Sequence, residues 1–153
     1  MTMDLRRRTL LGAFGAAAAM PALAQFRIEI TGVGATQVPL VVLDLRDESV
    51  AGVGLAAIVR ADLLRSGLFR LVESREALDE RSRPVLADWR ARGADALVAG
   101  SVTKLSDGRF DVRYKLWDAV RGEELLGQSQ VIVAGDLRLA AHRIADAIHQ
   151  HLI

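Results

Sequence analysis

None of the 153 residues is a cysteine, so neither a disulfide nor a thiolate metal site can hold this fold, and its stability must rest on an apolar core. Aromatic side chains are scarce, at 5%, and charge of either sign is nearly balanced, with 20 Lys and Arg against 19 Asp and Glu. Nucleic-acid binding depends on clustered basic residues, often interleaved with aromatic ones, and no such stripe occurs. The same lack speaks against an anionic membrane surface. No G-x-S-x-G nucleophile elbow is present, and all three histidines crowd the last dozen residues, which leaves a Ser/His/Asp site without support. There is no internal repeat, and no low-complexity segment beyond a run of alanines near the start.

What is present is the composition of one soluble domain, 51% apolar and 25% charged. Arg6, Arg7 and Arg8 precede an apolar run from Leu10 to Met20 and a small-residue exit, Pro21-Ala22-Leu23-Ala24. That order of regions is a secretory signal peptide over residues 1–24, with cleavage expected between Ala24 and Gln25. Its apolar run is too short to span a bilayer comfortably, and no cysteine stands at the cleavage site to carry lipid. Arg7-Arg8 followed by Thr9-Leu10-Leu11 loosely fits a twin-arginine signal, and general secretion stays equally open. Both routes lead out of the cytoplasm. Removing residues 1–24 takes away three arginines and one aspartate and turns the formal charge from +1 to −1.

From Phe26 to Thr31 the chain alternates strictly, with Phe26, Ile28 and Ile30 on one side and Arg27, Glu29 and Thr31 on the other, which predicts a half-buried or edge strand. After a glycine-containing loop, Val38 to Leu45 is nearly all apolar, as is Ala96 to Val102, and both predict inner strands covered on two faces. Between them, Leu55, Val59 and Leu63 with Ala56 form a helical stripe, stopped by Ser66-Gly67, after which Leu68 and Phe69 are expected to fold back and Phe69 to Val72 to form a strand. Glu73 to Arg83 is charged and irregular, a surface loop. Pro84 is placed as the first residue of a short helix that buries Val85, Leu86 and Trp89 and ends at Gly93. Ser106-Asp107-Gly108 predicts a hairpin turn into Phe110, Val112, Tyr114 and Leu116, alternating with Asp111, Arg113 and Lys115. A turn at Arg121-Gly122 returns the chain through Glu124 to Val133. Asp136 is expected to cap a last helix striped by Leu137, Ala141, Ile144, Ile148 and Leu152. The order β, β, α, β, α, β, β, β, α defines an α/β fold of α+β-like character, a mixed sheet of five to six strands packed with two to three helices.

Two stretches tempt an enzymatic assignment. Gly52-Val53-Gly54-Leu55-Ala56-Ala57 satisfies G-x-G-x-x-A, with Glu73 about 20 residues on. The glycines do not follow their strand directly, however, and Asp44, Asp47 and Glu48 would repel a phosphate. His142, Asp146 and His149 share one helix face, but no fourth ligand or orienting partner is evident, so a solvated helix back is favoured over a metal site. Neither a catalytic constellation nor a cofactor is expected.

Three blocks together resemble a known family: Phe26-Arg27-Ile28-Glu29-Ile30-Thr31-Gly32; Ile58 to Leu63 closing on Ser66-Gly67-Leu68-Phe69; and Trp89 ahead of Gly93-Ala94-Asp95-Ala96-Leu97-Val98-Ala99-Gly100-Ser101-Val102. These, with the strand pair Phe110 to Asp118 and Glu124 to Gln130, are similar to the N-terminal domain of the TolB family of periplasmic Tol-Pal proteins, over nearly all of residues 25–153. The resemblance implies no enzymatic activity and a role in outer-membrane integrity and envelope constriction during division. It also implies that the first mature segment, here Gln25, Phe26, Arg27, Ile28, Glu29, Ile30 and Thr31, engages the C-terminal domain of TolA. The family continues into a C-terminal β-propeller that contacts the lipoprotein Pal, and this chain stops at Ile153, so Pal binding falls to no residue here. A fragment, a truncated product and a stand-alone copy all fit that ending. Looser similarity extends to envelope accessory domains of the curli-secretion and penicillin-binding-protein-activator type, which keeps a small periplasmic ligand-binding domain open as the alternative.

Overall fold

The structure, a computed structural model, describes residues 37–153. The two near-continuous apolar stretches become the inner parallel strands, β1 (Val38–Val42) and β3 (Ala96–Lys104), with Leu40 opposite Ala96. On its other side β1 pairs in parallel with β2 (Phe69–Leu71), Val38 opposite Phe69. Two hairpins add β4 (Phe110–Asp118) and β5 (Glu123–Ile132) antiparallel, for the order β2-β1-β3-β4-β5. With α1 (Leu55–Arg65), α2 (Leu86–Ala91) and α3 (Leu137–Leu152), this is the mixed-sheet α/β fold anticipated, with five strands and three helices among the described residues. The strand expected over Phe26 to Thr31 lies outside them.

Helices cover the sheet on both faces, which explains why β1 and β3 read as unbroken apolar runs. Leu40 and Val42 join Val98, Phe69, Val112, Tyr114 and Leu116 beneath α1 and α3, whose buried stripes are Leu55, Val59, Leu63 and Leu137, Ala141, Ile144, Ile148. The alternate positions Val41, Leu43, Leu97 and Ala99 pack with Trp89 of α2 and with Trp117 on the opposite face. Pro39 sits comfortably in the middle of this sheet. Val38 N donates to Leu68 O of the β2 side, so Pro39 faces the β3 side one step before β3 begins, where its carbonyl accepts from Asp95 N at 2.8 Å.

Four local expectations need correction. β1 ends at Val42, not Leu45: Asp44 turns outward to meet Arg60, although Leu43 N still donates to Val98 O. Only Phe69 of the pair after Gly67 folds into the core, for Leu68 remains 37% exposed. α2 begins at Leu86, two residues beyond Pro84. Val85 precedes it in an extended conformation, 62% exposed, so Leu86 and Trp89 alone supply the buried side. Asp136 stands at the N-terminus of α3, but its side chain makes no cap bond; a short 3-10 turn over Ala134–Asp136, with Asp136 N donating to Val133 O, leads the chain in.

Candidate interaction surface

The expected partner-binding residues Gln25 to Thr31, and the cleavage position Ala24-Gln25, lie outside the described residues. The description starts at Gln37, whose Nε2 donates to Gly67 O at 3.2 Å while Val38 N donates to Leu68 O at 2.9 Å. The chain therefore joins the sheet beside the C-terminal end of α1. Gly67 makes this junction possible, because its φ of +76° is the left-handed conformation that ends the helix and turns it directly into β2.

Along the outer side of β2 runs a groove of about 830 Å³, walled by Ala57, Ala61 and Leu64 of α1 and by Phe69, Leu71 and Val72. Arg60 lies at one end of it, donating to Val42 O at 2.7 Å and to Asp44 Oδ1 at 2.8 Å, so that its guanidinium ties α1 to the C-terminal end of β1. Arg70 and Arg75, also in the groove wall, have no ion pair among the described residues. A second hollow of about 530 Å³ shares Asp44, Ser74 and Arg75 with the first and continues it across the end of β1.

The loop from Glu73 to Arg83 is better held than its charged, irregular sequence suggests. Asp79, 8% exposed, accepts from Arg81 N at 2.8 Å and pairs with Arg46 at 3.1 Å, while Asp79 N donates to Ser82 Oγ at 2.9 Å and the Ser82 hydroxyl donates back to Asp79 Oδ1 at 3.4 Å. Ser101 of β3 donates its hydroxyl to Glu80 Oε1 at 2.8 Å. The Asp79-x-x-Ser82 spacing, a side-chain turn motif, was the available signal for this anchor.

The dinucleotide-like stretch has a different use. Glu48 Oε2 accepts from Leu45 N at 3.0 Å and from Ala56 N at 3.3 Å, so a carboxylate of the protein itself occupies the α1 N-terminus where a phosphate would sit. His142 reaches Asp62 on α1, and the His149 ring meets Phe69 edge-on with centroids 6.0 Å apart. These two histidines thus fasten α3 to α1 and β2, and no group of three or more His, Asp or Glu side chains is placed to hold a metal among the described residues. Among the described residues two titrating groups are displaced. Hydrogen bonds from the Arg109 backbone and side chain hold Asp107 below the usual carboxylate range, and burial pushes the Tyr114 phenol up to about 12.

A five-stranded mixed sheet with helices on both faces and a groove along one edge defines the class, a small α/β domain. The chain belongs to the family described as the TolB amino-terminal domain, whose model matches residues 26–125. It is 52% identical over 153 residues to the Tol-Pal system protein TolB of Polaromonas sp. (strain JS666 / ATCC BAA-500), covering 99% of this chain and 36% of that protein. The Tol-Pal system protein TolB of Albidiferax ferrireducens is also 52% identical, over 97% of this chain and 35% of its own length. Among solved structures, TolB from Acinetobacter baumannii superposes with a TM-score of 0.65 at 30% identity, over 76% of this chain and 28% of that one. The chain spans about a third of the length of the curated relatives it matches.

Proposed function

We propose that this chain is a non-enzymatic interaction module of the Tol-Pal cell envelope system, acting in the periplasm, and that Gln25 to Thr31 engage the C-terminal domain of TolA. The observation that carries it is where the family match begins. The TolB amino-terminal domain model starts at Phe26, so the alternating segment Phe26 to Thr31 belongs to the family's own pattern. A segment of this type adds to the open edge of a partner's sheet, its main chain supplying affinity while Phe26, Ile28 and Ile30 fill pockets. Through that contact the module supports outer-membrane integrity and envelope constriction, and contact with Pal is assigned to none of the residues 25–153.

The test compares the chain after signal removal with the same chain lacking Gln25 to Thr31, both titrated with the TolA C-terminal domain in a calorimeter. Binding is expected to vanish on deletion while the urea transition of the body stays cooperative. Equal binding by both proteins refutes the assignment of TolA contact to this segment.

A further inference from the structure

Among the described residues the sheet stops at β2. Leu68 O accepts from Val38 N, and Val72 N donates to Leu40 O, so even-numbered positions of this strand face β1. The N–H and C=O groups of Phe69 and Leu71 consequently point off the free edge. Their side chains turn to the α1 face, where Phe69 is buried and Leu71 packs beside it, whereas Arg70 stands exposed on the opposite face.

That pleat dictates what could be added. A strand laid along β2 places the residues opposite Phe69 and Leu71 towards α1, against Leu64, which is already 52% exposed. The residue between those two comes to lie beside Arg70. Charge decides its identity. Arg60 is satisfied by Val42 O and Asp44, but Arg70 and Arg75 are without anionic partners among the described residues, against Glu73 as the groove's one carboxylate not paired there. The unpaired charge is net positive, and its nearest part faces the added strand's middle residue.

We propose that the groove between α1 and the free edge of β2 binds an extended segment of a partner protein in which apolar and acidic residues alternate. Its main chain pairs with Phe69 and Leu71, its apolar side chains cover Leu64, and its carboxylates meet Arg70 and Arg75. The proposal rests on residues other than Gln25 to Thr31, and its test stands or falls independently of TolA.

The probe is a fluorescently labelled peptide of alternating valine and glutamate, titrated onto the whole chain at low salt and followed by anisotropy. Saturable binding is expected, with slowed amide exchange at Phe69 and Leu71. Arg70→Glu is expected to weaken it roughly tenfold and to favour a valine–lysine peptide instead, because one surface attraction is exchanged for a repulsion. Since Arg70 is exposed, an unchanged thermal midpoint checks that the variant is folded. Failure to saturate at millimolar peptide, binding indifferent to Arg70→Glu, or binding without slowed exchange at the two amides each overturns the proposal. So does exchange that slows with protein concentration alone, which would assign the edge to a second copy of the chain.

Discussion

Gly100 of β3 lies directly opposite Tyr114 of β4, and a Cβ added to Gly100 would stand 2.1 Å from Arg113 O and 2.9 Å from Tyr114 Cα. The obstruction is backbone, which cannot rotate away as a side chain does. Gly100→Ala must therefore part the two central strands of the sheet, and a loss of about 2–4 kcal/mol is expected in urea melts. Gly127→Ala on β5 is the control. There the nearest atom is Glu124 Oε1 at 3.1 Å, on an exposed and flexible side chain, and a change within about 0.5 kcal/mol is expected.

Tyr114 is the only tyrosine in the sequence, so tyrosinate absorbance reports it alone. Its hydroxyl donates to Gln128 Oε1 at 2.7 Å, and burial raises its pKa from 10.0 to about 12. Between those values the unfolded chain has released the proton while the folded chain keeps it. Stability then falls as pH rises through that window, by up to about 2–3 kcal/mol. The absorbance should titrate near the raised value in the folded protein and near the ordinary one in urea. Tyr114→Phe should flatten the alkaline loss of stability, and an ordinary titration in the folded state would contradict the assignment.

Leu63 is 2% exposed at the middle of the α1 stripe, and Arg65, on the same helix, donates to Asp62 at 2.9 Å near solvent. Leu63→Ala is expected to cost about 2–5 kcal/mol and Arg65→Ala less than about 1. Comparable losses in chemical denaturation would mean that the helix face has been assigned wrongly.

Glu48 carries the start of α1 without being in it, through its bonds to Leu45 N and Ala56 N. Glu48→Ala removes the one oxygen that accepts from both N–H groups and should cost about 1–2 kcal/mol, while Glu48→Gln keeps an acceptor, loses the charge facing the helix N-terminus, and should cost roughly half as much. Thermal melts of the two variants separate the hydrogen bonds from the charge.

Elements defined by burial on two faces or by strict alternation were legible in the sequence. β1 and β3 read as unbroken apolar runs because helices cover them on both faces, whereas β4 alternates because Phe110, Val112, Tyr114 and Leu116 face the helices and Asp111, Arg113 and Lys115 face away. Element ends were less legible. Val85 looked apolar enough to be buried, but it sits just ahead of α2, where the extended backbone turns it outward; apolar character does not specify direction. Asp136 had the right identity for a cap, yet the 3-10 turn before α3 met the need through main-chain bonds. The groove beside β2 could not be foreseen, since Arg70 and Arg75 become conspicuous only once the neighbouring Arg60 is seen to be satisfied. Glu48 was noted as a charge hostile to phosphate, but its position on Ala56 N depends on a turn whose geometry includes Asp47 at a φ of +61°.

The place of β1 has a consequence for the order in which the chain can become ordered. It is the first described strand in sequence and the centre of the parallel half of the sheet, with Leu40 paired to Leu71 on one side and Ala96 on the other. As the chain emerges from its N-terminus, β1 has no partner among the described strands until β2 appears and only one until β3 follows. Its hydrogen-bonding groups and both its apolar faces stay uncovered for that whole interval. The parallel half of the sheet therefore closes only through pairings far apart in sequence, which makes it the slow part of the domain to form and leaves the apolar β1 open to wrong pairing in the meantime.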